Sequence, residues 1–178
     1  MNKTLLLNNL RNIPDFPIPG IQFKDVTTLF CHPKCLKEMS DELYRRYKDK
    51  GITKVVGIES RGFIMSAILA DRLNAGLVLC RKPGKLPGET KAVSYNKEYG
   101  TDSIEIHSGQ ITPEDVVLIH DDLLATGGSL KAAWELLKEF RPKEIYANVL
   151  IELRIEGLQG REFLGPEKHL SSLLTIEE

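Results

Sequence analysis

The stretch from Val116 to Ser129, VVLIHDDLLATGGS, constrains the fold more than any other part of the sequence. Its apolar run predicts a buried strand, two carboxylates follow, and a Thr-Gly-Gly-Ser turn then opens a helix. Because Gly127 and Gly128 lack Cβ atoms, backbone N–H groups can converge on an anion at the helix N-terminus, next to the hydroxyl of Thr126. We therefore predict that residues 126–129 bind a phosphate group.

Asp121 and Asp122 distinguish this stretch from other phosphate-binding turns. No G-K-[ST] follows the glycines as in a Walker loop, and no G-x-G-x-x-G occurs in the sequence. Paired carboxylates suit the two hydroxyls of a ribose whose 5-phosphate occupies the turn. The alternative is that the carboxylates only cap the turn and the glycines only start a helix. We favour a ribose 5-phosphate site that also includes Ala125.

Strands and helices alternate along most of the chain. Apolar residues at helical spacing predict helices over 36–50 and 62–73 and after the phosphate turn. Short apolar runs predict strands over 54–59, 77–82, 116–120 and 144–153, and alternating residues predict a half-exposed, antiparallel strand over 102–108. This order is typical of an α/β fold with a parallel sheet, in which ligands bind at the carboxyl ends of the strands.

Length and charge limit the other possibilities. The 178 residues fit one domain, without internal repeats or a linker. Lys and Arg total 24 against 25 Asp and Glu, so no charge excess favours nucleic acid or an anionic membrane as a partner. The N-terminal residues are too polar for a signal peptide or a membrane span, and we expect a cytoplasmic protein.

The three cysteines are predicted to be reduced thiols, because their number is odd and no export signal is visible. Cys31, His32 and Cys35 lie close together in the sequence. A zinc site normally needs four ligands, and no second cluster supplies the rest. We favour a loop before a helix for this segment.

The stretch from Pro83 to Thr101 does not fit the alternation of strands and helices. It holds three Gly, two Pro, three Lys and two Tyr, and we find no helical or strand period in it. A long structureless loop inside a compact domain is usually functional. We predict that residues 83–101 form a flexible catalytic lid.

Five segments, in order, resemble the type I phosphoribosyltransferases, and within that group its adenine-specific members. The segments are PDFPIPGIQFKDVT, GIESRGF, RKPGKLP, YNKEYGTDSIEIH and HDDLLATGGS. The resemblance implies the type I phosphoribosyltransferase fold, an α/β fold whose parallel-rich central sheet is flanked by helices. It also implies one domain, in which about residues 1–35 form an N-terminal hood over the base and residues 83–101 form the lid.

The resemblance implies transfer of ribose 5-phosphate from phosphoribosyl pyrophosphate to adenine, giving AMP and pyrophosphate with Mg2+ carried by the pyrophosphate group. Arg61 at a strand-to-helix turn, and the basic residues Arg81, Lys82 and Lys85, then bind pyrophosphate. From the residues alone, Arg61 over a helix start and a solvated basic loop are the alternatives. The residue matching Arg81 reaches a neighbouring subunit's site in this family, which implies a homodimer.

The base is assigned by resemblance as well. Phe23 matches the residue that stacks on the purine, and its neighbours Gln22 and Lys24 belong to the segment that reads the edge of the base. Leu123 is expected on the opposite face of the base. From the residues alone, Phe23 would be interpreted as core packing.

Glu98, beside Tyr99 in the lid, is implied to be the catalytic residue that handles the proton of the base. Oxopurine enzymes carry an Asp where this chain has Ala125, so the group that accepts the proton must come from elsewhere in this chain. Without the resemblance, Glu98 would be an exposed loop charge. His120 stands where an aliphatic residue is common, and we favour a satisfied polar residue there over one that biases the charge of the Asp pair.

Two other functions remain as alternatives. The first is a phosphoribosyltransferase for hypoxanthine, guanine or xanthine, against which Ala125 and the FPIPGIQF segment argue. The second is a non-catalytic regulator that senses phosphoribosyl pyrophosphate, for which we would expect a nucleic-acid-binding surface.

Overall fold

The computed structural model of the chain describes residues 1–96, 101–155, 160–162 and 169–177. These residues form two compact units, Met1–Arg46 and Tyr47–Glu178. Among the described residues, none of the helices is both long and apolar enough to cross a membrane.

The first unit contains a small hairpin and three helices, of which the last ends at the unit boundary. The elements are α1 (Lys3–Asn9), β1 (Arg11–Pro14), β2 (Gln22–Asp25), α2 (Thr27–Cys31) and α3 (Pro33–Tyr47). β1 and β2 are antiparallel, with Arg11 opposite Asp25. The helix predicted over 36–50 is α3, which starts earlier because Pro33 suits the first helical position.

The loop predicted around Cys31 and Cys35 is wrong. Cys31 ends α2, and Cys35 lies buried in the first turn of α3, where its N–H donates to Nδ1 of His32 at 3.4 Å. Only His32 separates α2 from α3, which leaves no room for a loop. All three cysteines are free thiols, as predicted.

The second unit is built around five parallel strands. Its elements in chain order are β3 (Lys54–Ile58), α4 (Gly62–Leu73), β4 (Gly76–Cys80), β5 (Thr90–Asn96), β6 (Thr101–His107), β7 (Val116–Leu124), α5 (Gly128–Lys138), β8 (Glu144–Arg154) and β9 (Leu170–Glu177). The sheet order is β4-β3-β7-β8-β9, and every neighbouring pair is parallel. The predicted α/β fold with a parallel sheet flanked by helices is confirmed, and β7 is its middle strand.

The two faces of the sheet are covered by different elements. Val56 and its register partner Ile119 belong to the apolar core that includes Leu130, Ala133 and Leu137 of α5. Residues one position along each strand point to the other face. There a Cβ at Gly57 would lie only 2.8 Å from Oγ of Ser66 in α4, so the missing side chain lets this helix pack closely.

The prediction of a structureless lid over 83–101 is wrong for its second half. Residues 90–96 form β5, which pairs antiparallel with β6 in a two-stranded hairpin. Val93 and Tyr95, two residues apart, pack against the core, but the neighbouring Gly and Lys residues hide this alternation in the sequence. The antiparallel strand predicted over 102–108 is β6. Residues 97–100 of the predicted lid lie outside the described residues.

Candidate active site

The middle strand of the sheet ends at the predicted phosphate turn. β7 continues past the predicted boundary at residue 120, so that Asp121 and Asp122 are strand residues rather than loop residues. α5 begins at Gly128, and Gly127 before it adopts a left-handed conformation with φ of 80°. Most residues with a Cβ avoid that conformation, which explains the glycine. At the helix start, Thr126 is exposed and Ser129 is half-buried.

The two carboxylates at the end of β7 interact with each other and with Arg61. The backbone N–H of Asp122 donates to Oδ1 of Asp121 at 2.8 Å. Nε of Arg61 lies 2.5 Å from Oδ2 of Asp122, whose side chain is only 6% exposed. Burial, and next the charge of Asp122, raise the pKa of Asp121 well above its usual value. The site thus holds a carboxylate pair with the Arg61 guanidinium beside it.

Gly62 allows the helix that carries Arg61 to approach the strand. Arg61 is the residue before α4, and a Cβ at Gly62 would lie 2.9 Å from the His120 carbonyl oxygen and 3.1 Å from Oδ1 of Asp121. Any side chain there would push the helix start away. The structure therefore brings Arg61 to the Asp pair, whereas the sequence indicated only that it follows a strand.

Glu59 binds the basic residues that follow β4, and it was not predicted from the sequence as a residue of the site. Its carboxylate accepts hydrogen bonds from Nη2 of Arg81 at 3.0 Å and from the backbone N–H of Lys82 at 2.8 Å. The hydrogen bond from Arg81 is the main reason that the pKa of Glu59 is lowered. Nη1 of Arg81 donates to the carbonyl oxygen of Lys85 at 3.2 Å. Arg81 is thus fixed within its own chain, beside the GIESRGF segment.

Lys82 and Lys85, the two lysines predicted to bind pyrophosphate, are exposed. Nζ of Lys82 lies 3.7 Å from Oδ2 of Asp102 on β6. The same carboxylate accepts a hydrogen bond from the hydroxyl of Tyr95 at 3.4 Å, and that hydroxyl lies 3.2 Å from Oγ of Ser129. Tyr95 was predicted only as part of the lid, and Asp102 was not predicted to belong to the site.

His120 is fully buried, and its pKa is lowered to about 4 because burial disfavours the charged ring. Its Nδ1 lies 3.1 Å from Oδ1 of Asn148, whose amide donates to both the carbonyl oxygen and Oγ of Ser171. Since the Asn148 amide group already donates, Oδ1 must accept, and Nδ1 of His120 carries the proton. Nε2 is buried and has no hydrogen-bond partner among the described residues. The prediction of a satisfied polar residue therefore holds at one ring nitrogen only.

The residues assigned to the base belong to both units of the chain. Leu123 is half-buried on β7. Gln22, Phe23 and Lys24 form β2 in the first unit. There the ring of Phe23 meets that of Phe16 edge-on, with centroids 5.1 Å apart.

The side chains on either side of Phe23 form hydrogen bonds with Asn12 of β1. Nδ2 of Asn12 donates to Oε1 of Gln22 at 2.7 Å, and Nζ of Lys24 donates to Oδ1 of Asn12 at 3.1 Å. Glu98 and Tyr99, predicted to handle the proton, lie outside the described residues.

Comparison with known proteins agrees with this geometry. Residues 25–169 match the model of the phosphoribosyl transferase domain family. The adenine phosphoribosyltransferase of Bacteroides thetaiotaomicron is 58% identical over 176 residues, which are 99% of each chain. That of Geobacter metallireducens is 49% identical over 171 residues, which cover 96% of this chain and 98% of the relative.

Solved structures give the same result. The adenine phosphoribosyltransferase of Rhodothermus marinus is 47% identical, covers 97% of each chain and superposes with a TM-score of 0.89. The enzyme of Giardia lamblia, solved in complex with 9-deazaadenine, is 43% identical with a TM-score of 0.91, over 100% of this chain and 99% of the other. The chain therefore belongs to the phosphoribosyltransferase family, among its adenine phosphoribosyltransferases.

Proposed function

We propose that the carboxyl end of β7 and the turn after it transfer ribose 5-phosphate from phosphoribosyl pyrophosphate to N9 of adenine. The products are AMP and pyrophosphate. The observation that carries this proposal is the placement of Asp121 and Asp122 on the middle strand, directly before a glycine turn that opens α5. Ligands of parallel α/β sheets bind at this edge.

The turn is proposed to bind the 5-phosphate. Backbone N–H groups of Gly127 and Gly128 and the hydroxyls of Thr126 and Ser129 are donors, and the N-terminus of α5 adds a favourable dipole. Ala125 contributes its backbone to this turn. Asp121 and Asp122 are proposed to accept hydrogen bonds from the ribose hydroxyls.

In the reaction, the bond from the anomeric carbon to pyrophosphate breaks and the bond to N9 forms on the opposite face. Positive charge develops on the ribose ring, and the neighbouring carboxylates stabilise it. The leaving pyrophosphate takes up negative charge, which the four basic residues near the site are proposed to balance, namely Arg61, Arg81, Lys82 and Lys85. The contacts of Arg81 with Glu59 support this role, because a fixed guanidinium needs little reorganisation when charge appears.

Magnesium is proposed to enter as part of the substrate, bound to the pyrophosphate group. Hard cations of this kind prefer phosphate and carboxylate oxygens. Among the described residues, no three His, Cys, Asp or Glu side chains cluster as ligands for a metal ion.

Adenine is proposed to contact Phe23, with Gln22 and Lys24 beside it, and also Leu123. Glu98, next to Tyr99, is proposed to handle the proton of the base as a catalytic residue. These assignments are supported by the resemblance of the segments and by the relatives named above. Ala125 supports adenine over oxopurines, because its methyl group cannot take up a proton.

A homodimer is proposed as well. Ile64 of α4 and Leu77 of β4 are exposed by 42% and 41%, and β4 is an edge strand of the sheet. Arg81 directly follows that strand, so an interface there would lie beside a residue of the site. The free cysteines support a cytoplasmic location.

The direct test is an assay with phosphoribosyl pyrophosphate, Mg2+ and each of adenine, hypoxanthine, guanine and xanthine. We expect adenine to be used and the oxopurines to react far more slowly. Turnover of an oxopurine at the rate of adenine would favour the first alternative function. Binding of phosphoribosyl pyrophosphate without turnover of any base would favour the regulator.

The second test concerns the Asp pair. The double change Asp121→Asn and Asp122→Asn should lower kcat/KM by about a hundredfold or more, because it removes the charge that faces the ribose ring. Asp71→Asn, at an exposed position of α4, is the matched control. Wild-type turnover in the folded double variant would exclude the proposed role.

A further inference from the structure

The segment 160–162 lies against the phosphate turn, and the contact is made by backbone on both sides. A Cβ at Gly127 would come within 2.6 Å of the Gly160 carbonyl oxygen and 2.8 Å of its Cα. Conversely, a Cβ at Gly160 would overlap the carbonyl oxygen of Ala125 and lie 3.1 Å from the backbone N of Gly127. Only glycine fits at either position, so the two backbones fix each other's position.

The residue after Gly160 is held by a buried carboxylate. Nε and Nη2 of Arg161 donate to Oε1 and Oε2 of Glu152, both at 2.6 Å. Glu152 is 1% exposed, and the hydrogen bonds from Arg161 are the main reason that its pKa is lowered to about 2. The paired, parallel contacts of a guanidinium and a carboxylate fix orientation as well as distance.

Other groups complete the environment of Glu152. Oγ of Ser172 donates to Oε2 at 3.0 Å, and Nε of Arg154 donates to Oε1 at 3.1 Å. Nη1 of Arg161 also donates to the carbonyl oxygen of Leu170 at 3.3 Å. Arg161 thereby links β8 and β9 at one point.

Glu152 lies at the base of the phosphate turn. In the β7–β8 register, Glu152 is the partner of Leu124, the last residue of β7 before Ala125. The chain of contacts starts at the end of β7, passes through Glu152 and Arg161, and returns through Gly160 to the backbone of Ala125 and Gly127. The turn is thus held at its base and on its outer side.

Stability alone does not account for this arrangement. Desolvation of both charges offsets much of the attraction within a buried ion pair, so that such a pair is a poor source of net stability. The pair does determine where segment 160–162 lies, and through Gly160 it limits the positions that the turn backbone can take.

We propose that Gly160 and the Glu152–Arg161 pair are positioning residues for the substrate phosphate, which hold the backbone of residues 125–127 in the conformation that binds a sugar 5-phosphate. This inference rests on the proposed phosphate role of the turn. It adds to the phosphate site three residues, Glu152, Gly160 and Arg161, that lie outside the sequence motifs. Misplacement of binding groups by about 1 Å can cost about a hundredfold in a well-oriented site.

The test compares two probes that should occupy different parts of the site. Ribose 5-phosphate should bind to the turn through its 5-phosphate, whereas pyrophosphate should bind to the basic residues and not to the turn. In Gly160→Ala and in Arg161→Lys we expect affinity for ribose 5-phosphate to fall by about tenfold to a hundredfold, with pyrophosphate affinity unchanged. The KM for phosphoribosyl pyrophosphate should rise more than kcat falls.

Arg154→Lys is the matched control, because Arg154 touches the same carboxylate but is 51% exposed and does not adjoin Gly160. It should leave both affinities unchanged. Thermal unfolding of each variant reports on the fold, and Arg161→Lys serves if Gly160→Ala does not fold, since it keeps the charge. Equal loss of both affinities, or loss of neither, in a folded variant would overturn the proposal.

Ser129→Ala separates this proposal from the underlying function. If Ser129→Ala weakens binding of ribose 5-phosphate while the Gly160 and Arg161 variants do not, the turn binds phosphate and the positioning role is wrong. If Ser129→Ala has no effect, the proposed phosphate role of the turn fails, and the positioning role fails with it.

Discussion

The hydroxyl oxygens of Tyr95 and Ser129 lie 3.2 Å apart, which joins the β5–β6 hairpin to the first turn of α5. A Cβ at Gly128 would lie 3.4 Å from the Tyr95 ring, so the aromatic ring also packs beside the turn. The hairpin that bounds the predicted lid is therefore in contact with the proposed phosphate site.

We expect Tyr95→Phe to raise the KM for phosphoribosyl pyrophosphate by about fivefold, with a smaller effect on kcat. The change removes the hydrogen bond of about 1 kcal/mol that orients the Ser129 hydroxyl, together with the longer one to Asp102, and it keeps the ring in place. Steady-state kinetics of Tyr95→Phe and of the control Tyr146→Phe on β8 check this. A lowered kcat with unchanged KM would mean that Tyr95 acts on the reaction by another route.

Asp121 gives a second prediction, on the pH dependence of activity. Because its pKa is raised, the carboxyl takes up a proton at a higher pH than an ordinary Asp as the solution is acidified. We therefore expect kcat/KM to fall with decreasing pH, starting above the usual range of an Asp. Asp121→Asn should be slower throughout and should lose this acidic limb, as shown by pH profiles over the range where circular dichroism reports a folded protein. Persistence of the same limb in Asp121→Asn would assign it to another group.

The sequence predicted the strand, the Asp pair and the glycine turn at the centre of the proposed site, but not the residues around them. The Asp pair, the glycine turn and the strand before them are neighbours in sequence, so local pattern was enough to find them. Glu59 with Arg81, and Glu152 with Arg161, are pairs formed across strands or connections, and no local spacing indicates them.

The same reason explains the missed strands. β9 was not predicted because serines interrupt its apolar residues, and it is recognisable as a strand only through its pairing with β8. In β5 the alternation of Val93 and Tyr95 covers only one face of a short hairpin. Three helices, α3, α4 and α5, and the central strands have longer or more continuous apolar patterns and were predicted within a few residues, whereas the short helices α1 and α2 were not predicted.

A third prediction concerns His120 and stability. In the unfolded chain its pKa is about 6.5, whereas in the folded chain burial lowers it to about 4. Between these values the unfolded state binds more protons, so stability is greatest above about pH 6.5 and falls as the pH drops toward 4. The shift corresponds to about 3 kcal/mol, or a fall in Tm of roughly 6 to 12 °C.

His120→Gln should flatten this dependence, because Gln keeps an N–H donor for Asn148 and does not titrate. Thermal unfolding at pH 7.5 and pH 5 measures it, with His107→Gln on β6, a half-buried position, as the control. If His120→Gln loses as much Tm as the wild type between these pH values, His120 is not the group responsible.

The last prediction concerns Glu98, in the residues that join Asn96 to Thr101, where the described strands of the hairpin end. Ala125 offers no carboxylate to the base, so a proton acceptor must come from elsewhere, and the resemblance supplies Glu98. A positioned general base contributes about 10² to 10⁴ in rate, and Glu98→Gln should lower kcat by that order with little change in adenine KM. If Glu98 only hydrogen-bonds the base in the ground state, KM rises and kcat is nearly unchanged.

Glu89→Gln is the control for this experiment, because Glu89 is an exposed residue at the other end of β5, and its carboxylate has the same chemistry. The comparison separates a specific role from the loss of one negative charge near the basic residues. Since Tyr95 holds the hairpin to the phosphate turn, combining Tyr95→Phe with Glu98→Gln tests whether Tyr95 positions the segment that carries Glu98. If Tyr95 positions the segment that carries Glu98, the double variant should lose less than the product of the two single losses, because the effects of coupled residues are not additive. Equal kinetics of Glu98→Gln and Glu89→Gln would mean that the acceptor is another group.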